Sequence, residues 1–149
     1  MAERRNRPPA KRADEILDDL IAGHNEALYE SPAKGMRYLQ NFLAKYDSIP
    51  NAVKFYVYDL LAEDAYQADE PDVCREAAEH AGEFLVDARE ENAHRVKQYL
   101  PTIRYLERGI SVLVDAGEFE AALTFCDQAI ELGLGRAYTA KRASIEHMM

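Results

Sequence analysis

A turn that leads into an amphipathic helix limits the folds open to this chain more than any other feature. The run Gly117-Glu118-Phe119-Glu120 is typical of a tight turn entering a helix. Within that helix, Ala122 and Ala129 lie seven residues apart, which returns them to nearly the same face after two turns. Small residues on one face let a second helix approach closely. The pattern therefore predicts the second half of a helix-turn-helix repeat unit.

Apolar residues at helical spacing recur along the rest of the chain and predict further helices. The predicted helices cover about residues 13–30, 32–46, 52–66, 71–88, 101–114, 118–132 and 136–147. Pro101 is expected in the first turn of the fifth helix, where its missing N–H is tolerated. Residues 89–98 fit either a solvated extension of the fourth helix or a loop.

The predicted fold class is all-α, with about three antiparallel helix hairpins and a C-terminal helix. Hairpins of this length either stack as a superhelix or close as a bundle. The turns between paired helices recur at intervals of about 40 and 46 residues, which is a loose period. Residues 13–149 are expected to form a single domain, and residues 1–12 a disordered basic arm.

The charge of the chain is unevenly distributed. Residues 1–12 contain five Arg or Lys and one Glu, which gives +4, so the net charge of −9 leaves −13 on the remainder. An acidic body disfavours duplex binding, so nucleic acid is expected to bind, if at all, through residues 1–12. There is no secretory signal pattern or apolar run long enough for a membrane span. We expect a cytoplasmic protein that has no membrane contact.

Residues that could support catalysis or metal binding are sparse. Cys74 and Cys126 fall on apolar helix faces and are expected to be small core residues. His24 lies on an apolar stripe and is expected to be a core histidine. Glu91-x-x-His94 has the spacing used in di-iron bundles, but a second copy is lacking. We expect no enzymatic activity, no catalytic or metal-binding residue and no cofactor.

Residues 103–136 resemble a tetratricopeptide repeat. Leu106 matches the large fourth residue of that repeat, Gly117–Glu120 its Gly-Asp-Tyr-Glu turn, and Ala122 and Ala129 its two Ala positions. Gly109 stands where the family prefers Leu, which is a departure from the pattern. The resemblance implies a right-handed superhelix whose groove is lined by the first helix of each pair. In this family such a groove commonly holds a peptide or a partner helix.

The expected function is that of a protein–protein interaction module, an adaptor that binds a peptide or helix of a partner. The residues expected to bind the partner are Tyr58, Arg104, Glu107, Ser111 and Asp115. Glu107 and Asp115 would repel a carboxylate, so a clamp for carboxyl-terminal tails is not expected. The alternatives are a nucleic-acid-linked regulator that uses the arm and a small acidic secretion or assembly chaperone. A homo-oligomer is also possible if a terminal hairpin exposes an apolar face.

Overall fold

The computed structural model describes residues 9–45 and 48–149, and the regular elements among them are all helical. The helices are α1 (Pro9–Glu30), α2 (Pro32–Lys45), α3 (Asn51–Gln67), α4 (Pro71–Glu91), α5 (Ala93–Tyr99), α6 (Tyr105–Asp115), α7 (Phe119–Glu131) and α8 (Arg136–Met148), with a 3-10 turn at Leu100–Thr102. The all-α prediction is confirmed. Of the predicted arm, residues 1–8 lie outside the described residues, and residues 9–12 form the first turn of α1.

The helices pack in sequential hairpins that also contact the next hairpin along the chain. α1 pairs with α2, α3 with α4 and α6 with α7, while α8 packs on α7. The second helix of each pair also touches the first helix of the next, as α2 does with α3 and α4 with α6. α1 and α6 both lie against α3. The buried side chains form one core cluster, and no helix among the described residues could cross a membrane.

The turns of the second and third hairpins have the same hydrogen-bonding pattern. The N–H of Glu70 in one turn and of Glu118 in the other bonds to the carbonyl five residues earlier, at 2.8 Å in both. The preceding residues, Asp69 and Gly117, have left-handed φ values of 59° and 77°. This arrangement closes a helix end and satisfies its last carbonyl groups. Asp is one of the few residues with a side chain that tolerates this backbone region.

Small residues occupy the same place in the second helix of all three pairs. Gly35, Cys74 and Ala122 are each the fourth residue of their helix, and each N–H bonds to the carbonyl four residues earlier. All three are buried. Cys74 and Cys126 are free and buried, as expected from the sequence. Burial raises the pKa of the Cys74 thiol to about 11, which keeps it protonated.

Residues 89–98 contain a helix end and a separate short helix. α4 continues to Glu91, and the Asn92 side chain then caps α5 by accepting the N–H of Arg95 at 3.1 Å. The prediction that Pro101 starts the next helix is wrong, because Pro101 lies in the 3-10 turn and Ile103 is extended. α6 begins only at Tyr105.

Candidate functional site

Two neighbouring surface cavities lie beside α6, and we refer to them together as the groove. One lies against the end of α3 and the turn into α4, and the other against α3 and α8. The first has a volume of about 280 Å³ and is lined by Tyr66, Asp69, Glu70, Pro71, Val112 and Asp115. The second has a volume of about 290 Å³, and its lining includes Tyr66, Ile110, Ser111, Asp115, Lys141 and Met148. Tyr66 and Asp115 line both cavities, so the two adjoin each other.

Four of the five residues predicted to bind a partner lie along α6 or at its start. Ser111 and Asp115 line the groove. Ser111 Oγ donates a hydrogen bond to the Glu107 carbonyl at 3.1 Å, and Glu107 is half-buried one turn earlier. Arg104 is exposed and directly precedes the helix. Their spacing of three or four residues places them on one side of α6.

Tyr58, the fifth predicted residue, packs against α4. Its ring stacks on Phe84 with centroids 5.8 Å apart, and the His80 ring lies 4.8 Å away. Burial raises the pKa of Tyr58, and the charges of Glu76 and Glu83 raise it further. The structure therefore brings Ser111 and Asp115 together in the groove and places Tyr58 in the α3–α4 contact.

Tyr66 is a groove residue that the sequence analysis missed. The guanidinium carbon of Arg108 lies 4.3 Å from its ring centroid, and Arg108 Nε donates to Glu63 at 2.5 Å. Burial alone would raise the pKa of Glu63, but the hydrogen bond and charge of Arg108 outweigh it and lower the pKa. These contacts hold Tyr66 in place. Only the packing of α3 against α6 reveals them, because Glu63 and Arg108 lie far apart in the sequence.

The other wall of the groove is α8, which is held to α7 by a polar contact and one core residue. Arg142 Nε donates to Asp127 at 2.7 Å, and Ile145 is the only buried residue of α8. On the half-buried side of α8, Lys141 Nζ lies 6.0 Å from the ring centroid of Tyr138. Burial raises the pKa of Tyr138, and the charge of Glu107 adds to the effect. This links α8 electrostatically to the predicted residues on α6.

Near the amino-terminal helices, α5 and the 3-10 turn pack against α1 and α3. Arg95 donates to Asp14 and Asp18 of α1, both at 2.9 Å. Tyr99 donates its hydroxyl to Asp59 of α3 at 2.6 Å. The segment thus bridges α1 and α3. The groove lies farther along α3, where Tyr66 faces α6.

Asp59 is fully buried and fixes the start of α6. Its Oδ1 accepts the backbone N–H groups of Arg104 at 2.9 Å and Tyr105 at 2.8 Å, while Oδ2 accepts the Tyr99 hydroxyl. Burial raises the pKa of Asp59, although all three hydrogen bonds act to lower it. Because α6 has no capping side chain of its own, Asp59 supplies the cap from another helix. It is a positioning residue for the groove.

His24 is buried, as expected, and pairs with an aspartate. Its Nε2 lies 2.5 Å from Asp64 Oδ2, and each side chain is only 3% exposed. A Cβ added at Gly35 would come within 2.6 Å of the same oxygen, so glycine makes room for the pair. The pair ties α1 to α3 beneath α2 and has no access for a substrate.

The described residues contain no group of three or more His, Cys, Asp or Glu side chains placed to hold a metal ion. Glu91 and His94 lie on different helices, separated by the break at Asn92. What the groove offers is a tyrosine ring, apolar side chains and several carboxylates. No family model, curated protein or solved structure matches the chain.

Proposed function

We propose that this chain is a protein-interaction module that binds a peptide or helix of a partner protein in the groove. The observation that carries the proposal is the groove itself. It lies mainly between α3 and α6, the first helices of their hairpins, and α8, which follows the third hairpin. It includes Ser111 and Asp115, which the sequence analysis assigned to partner binding.

We also propose that the hairpins form a right-handed, tetratricopeptide-like superhelix. The alternating contacts along the chain support this arrangement, since each second helix touches the next first helix. The repeated turn at Asp69–Glu70 and Gly117–Glu118 supports it as well. The small fourth residue of α2, α4 and α7 would permit the close helix approach that such stacking requires.

The composition of the groove suits a peptide better than a small polar metabolite. Its apolar lining includes Ile110, Val114 and Met148, and Met148 is 56% exposed. Tyr66 is 37% exposed, and a tyrosine buries a large area on binding at a small entropy cost. Two adjoining cavities can accept two neighbouring side chains of one segment. We propose no catalytic role for His24 and Asp64, because they pair with each other inside the core.

Site-specific photo-cross-linking tests the proposal. A photoreactive phenylalanine analogue would replace Lys141 or Met148, two long side chains that line the groove, in full-length protein exposed to cell lysate. We expect both positions to cross-link to the same partner protein. Nuclease treatment should leave the cross-link unchanged, because the partner is expected to bind the folded groove.

The matched control positions are Thr124 and Glu131, which are exposed on α7. Labelling from these positions should be at least tenfold weaker than from the groove. Equal labelling at all four positions, or labelling only from α7, would refute binding in the groove. A cross-link that disappears with nuclease would transfer the function to a nucleic-acid complex.

A further inference from the structure

We infer that the partner segment is basic, with an Arg or Lys beside an apolar side chain, and that its cation binds at the end of the groove formed by Asp69, Glu70 and Asp115. This inference rests on the proposed function, since it names the chemistry of the segment that the groove receives. The segment belongs to a partner protein.

The three carboxylates line one cavity, and no cation of the described residues forms an ion pair with them. Lys141, which lines the adjoining cavity with Asp115, lies near the Tyr138 ring instead. Asp69, Glu70 and Asp115 are all exposed around the 280 Å³ cavity, and none forms an ion pair within residues 9–45 and 48–149. The arginines of the adjoining helices are already bound elsewhere. Arg108 pairs with Glu63, and Arg75 bonds to Glu79 and Glu118. A charged group from outside the chain would complete the site.

The rest of the cavity fits the stem and neighbours of such a cation. Tyr66, Pro71 and Val112 provide an apolar lining against which the methylene groups of Arg or Lys can pack. Tyr66 already receives one guanidinium, that of Arg108, at 4.3 Å from its centroid, while Glu63 binds the same group. A ring with a carboxylate beside it is therefore the combination that this surface uses for a cation.

The chain holds one of its own segments by the same chemistry. Arg95 of α5 lies between Asp14 and Asp18, which are one helical turn apart on α1, and Tyr99 follows one turn later. A basic residue followed by an aromatic one thus secures α5 across two helices. The acidic end of the groove presents corresponding carboxylates on α6 and in the turn after α3.

The overall charge favours the same kind of partner. Residues 13–149 carry −13, because the first twelve residues contribute +4 to the total of −9. This field attracts basic segments and accelerates their association, and it repels acidic ones.

The test is selection of random twelve-residue peptides displayed on phage against the full chain, followed by affinity measurement on the enriched peptides. We expect enriched peptides to contain Arg or Lys next to an apolar residue. A synthetic peptide with citrulline in place of that Arg should bind at least tenfold more weakly, because citrulline keeps the shape and removes the charge.

A triple variant, Asp69→Asn, Glu70→Gln and Asp115→Asn, should lower affinity for the basic peptide at least tenfold. Asn is chosen at position 69 because it tolerates the left-handed backbone found there. Circular dichroism would verify that the variant is folded.

The matched control removes three carboxylates from the exposed faces of α4 and α7, by Glu90→Gln, Glu120→Gln and Glu131→Gln. It should change affinity less than twofold. Equal losses in both triple variants would overturn the inference, since the attraction would then depend only on overall charge.

Blocking the groove with Ser144→Trp separates this inference from the proposed function. Enrichment of neutral or acidic peptides whose binding is abolished by Ser144→Trp would overturn the basic partner and leave groove binding intact. Peptides unaffected by Ser144→Trp, or no enrichment at all, would overturn both.

Discussion

Gly109 occupies a point in α6 where two other helices leave no room for a side chain. A Cβ added there would lie 2.6 Å from Phe125 Cε2 and 2.9 Å from the Ala78 Cβ. We expect Gly109→Ala to lower the free energy of unfolding by about 1–3 kcal/mol, because the core must be displaced to accept the methyl group. Urea denaturation followed by circular dichroism would measure the change.

The same substitution at Gly82 in α4 is the matched control. The nearest atom to its added Cβ is Gln128 Oε1 at 3.4 Å, the end of a flexible side chain. Gly82→Ala should therefore raise the free energy of unfolding by up to about 1 kcal/mol through helix propensity. Equal destabilisation by both substitutions would contradict the packing explanation.

Glu63 gives a pH-dependent prediction. Arg108 lowers the pKa of Glu63 below its ordinary value of 4.5 despite its partial burial, so the ionised pair stabilises the fold above that pH. This stabilisation is lost as the pH falls through the lowered pKa. We expect Glu63→Gln to lower the free energy of unfolding by about 1 kcal/mol at pH 7. At a pH below the lowered pKa of Glu63 the substitution should change it little. Denaturation at several pH values would measure the difference, and a cost independent of pH would refute the ion-pair explanation.

At the scale of single elements, the start of α6 depends on Asp59. Asp59→Ala removes the acceptor of two backbone N–H groups and of the Tyr99 hydroxyl. We expect the free energy of unfolding to fall by about 2–4 kcal/mol, because buried donors lose their partner. Hydrogen exchange at the amides of Arg104 and Tyr105 should accelerate. Tyr99→Phe, which leaves both backbone bonds in place, should cost about 1 kcal/mol and leave those amides protected.

The contrast between predicted and observed elements has a physical basis. Helices with a continuous apolar stripe, such as α7, could be predicted because local spacing determines which face is buried. The predicted start of α6 is too early because Pro101 is compatible with a first turn, whereas the actual start is set by Asp59, more than forty residues earlier in the sequence. Asn92, the cap of α5, is a local signal that could have divided residues 89–98 into two helices.

At the scale of the whole molecule, α8 should be the least stable part of the groove. Only Ile145 among its residues is buried, so few apolar contacts oppose its opening. We expect amides of α8 to exchange faster than those of α3, and Ile145→Ala to increase the α8 rates at least tenfold while leaving α3 largely unchanged. Native-state hydrogen exchange would show this, and equal acceleration in both helices would indicate that the chain opens as one unit.

The site could be predicted in part. The α6 residues Ser111 and Asp115 were identified because their positions follow from the resemblance in the third hairpin. Tyr58 was included because it points away from the main stripe of α3, but that direction is occupied by Phe84 of α4. Tyr66 and Asp69 were missed because their role depends on how α3 lies beside α6. Contacts between hairpins are long-range and leave no periodic signal in one sequence.

The cap that Asp59 places on α6 also bears on synthesis. A ribosome releases α3 well before α6, so the carboxylate that caps the start of α6 is already present when the backbone of Arg104 and Tyr105 emerges. A fragment that begins after α3 would have to form the same helix with its first N–H groups unpaired. If the chain folds as it is synthesised, the third hairpin is therefore completed by a group from the second.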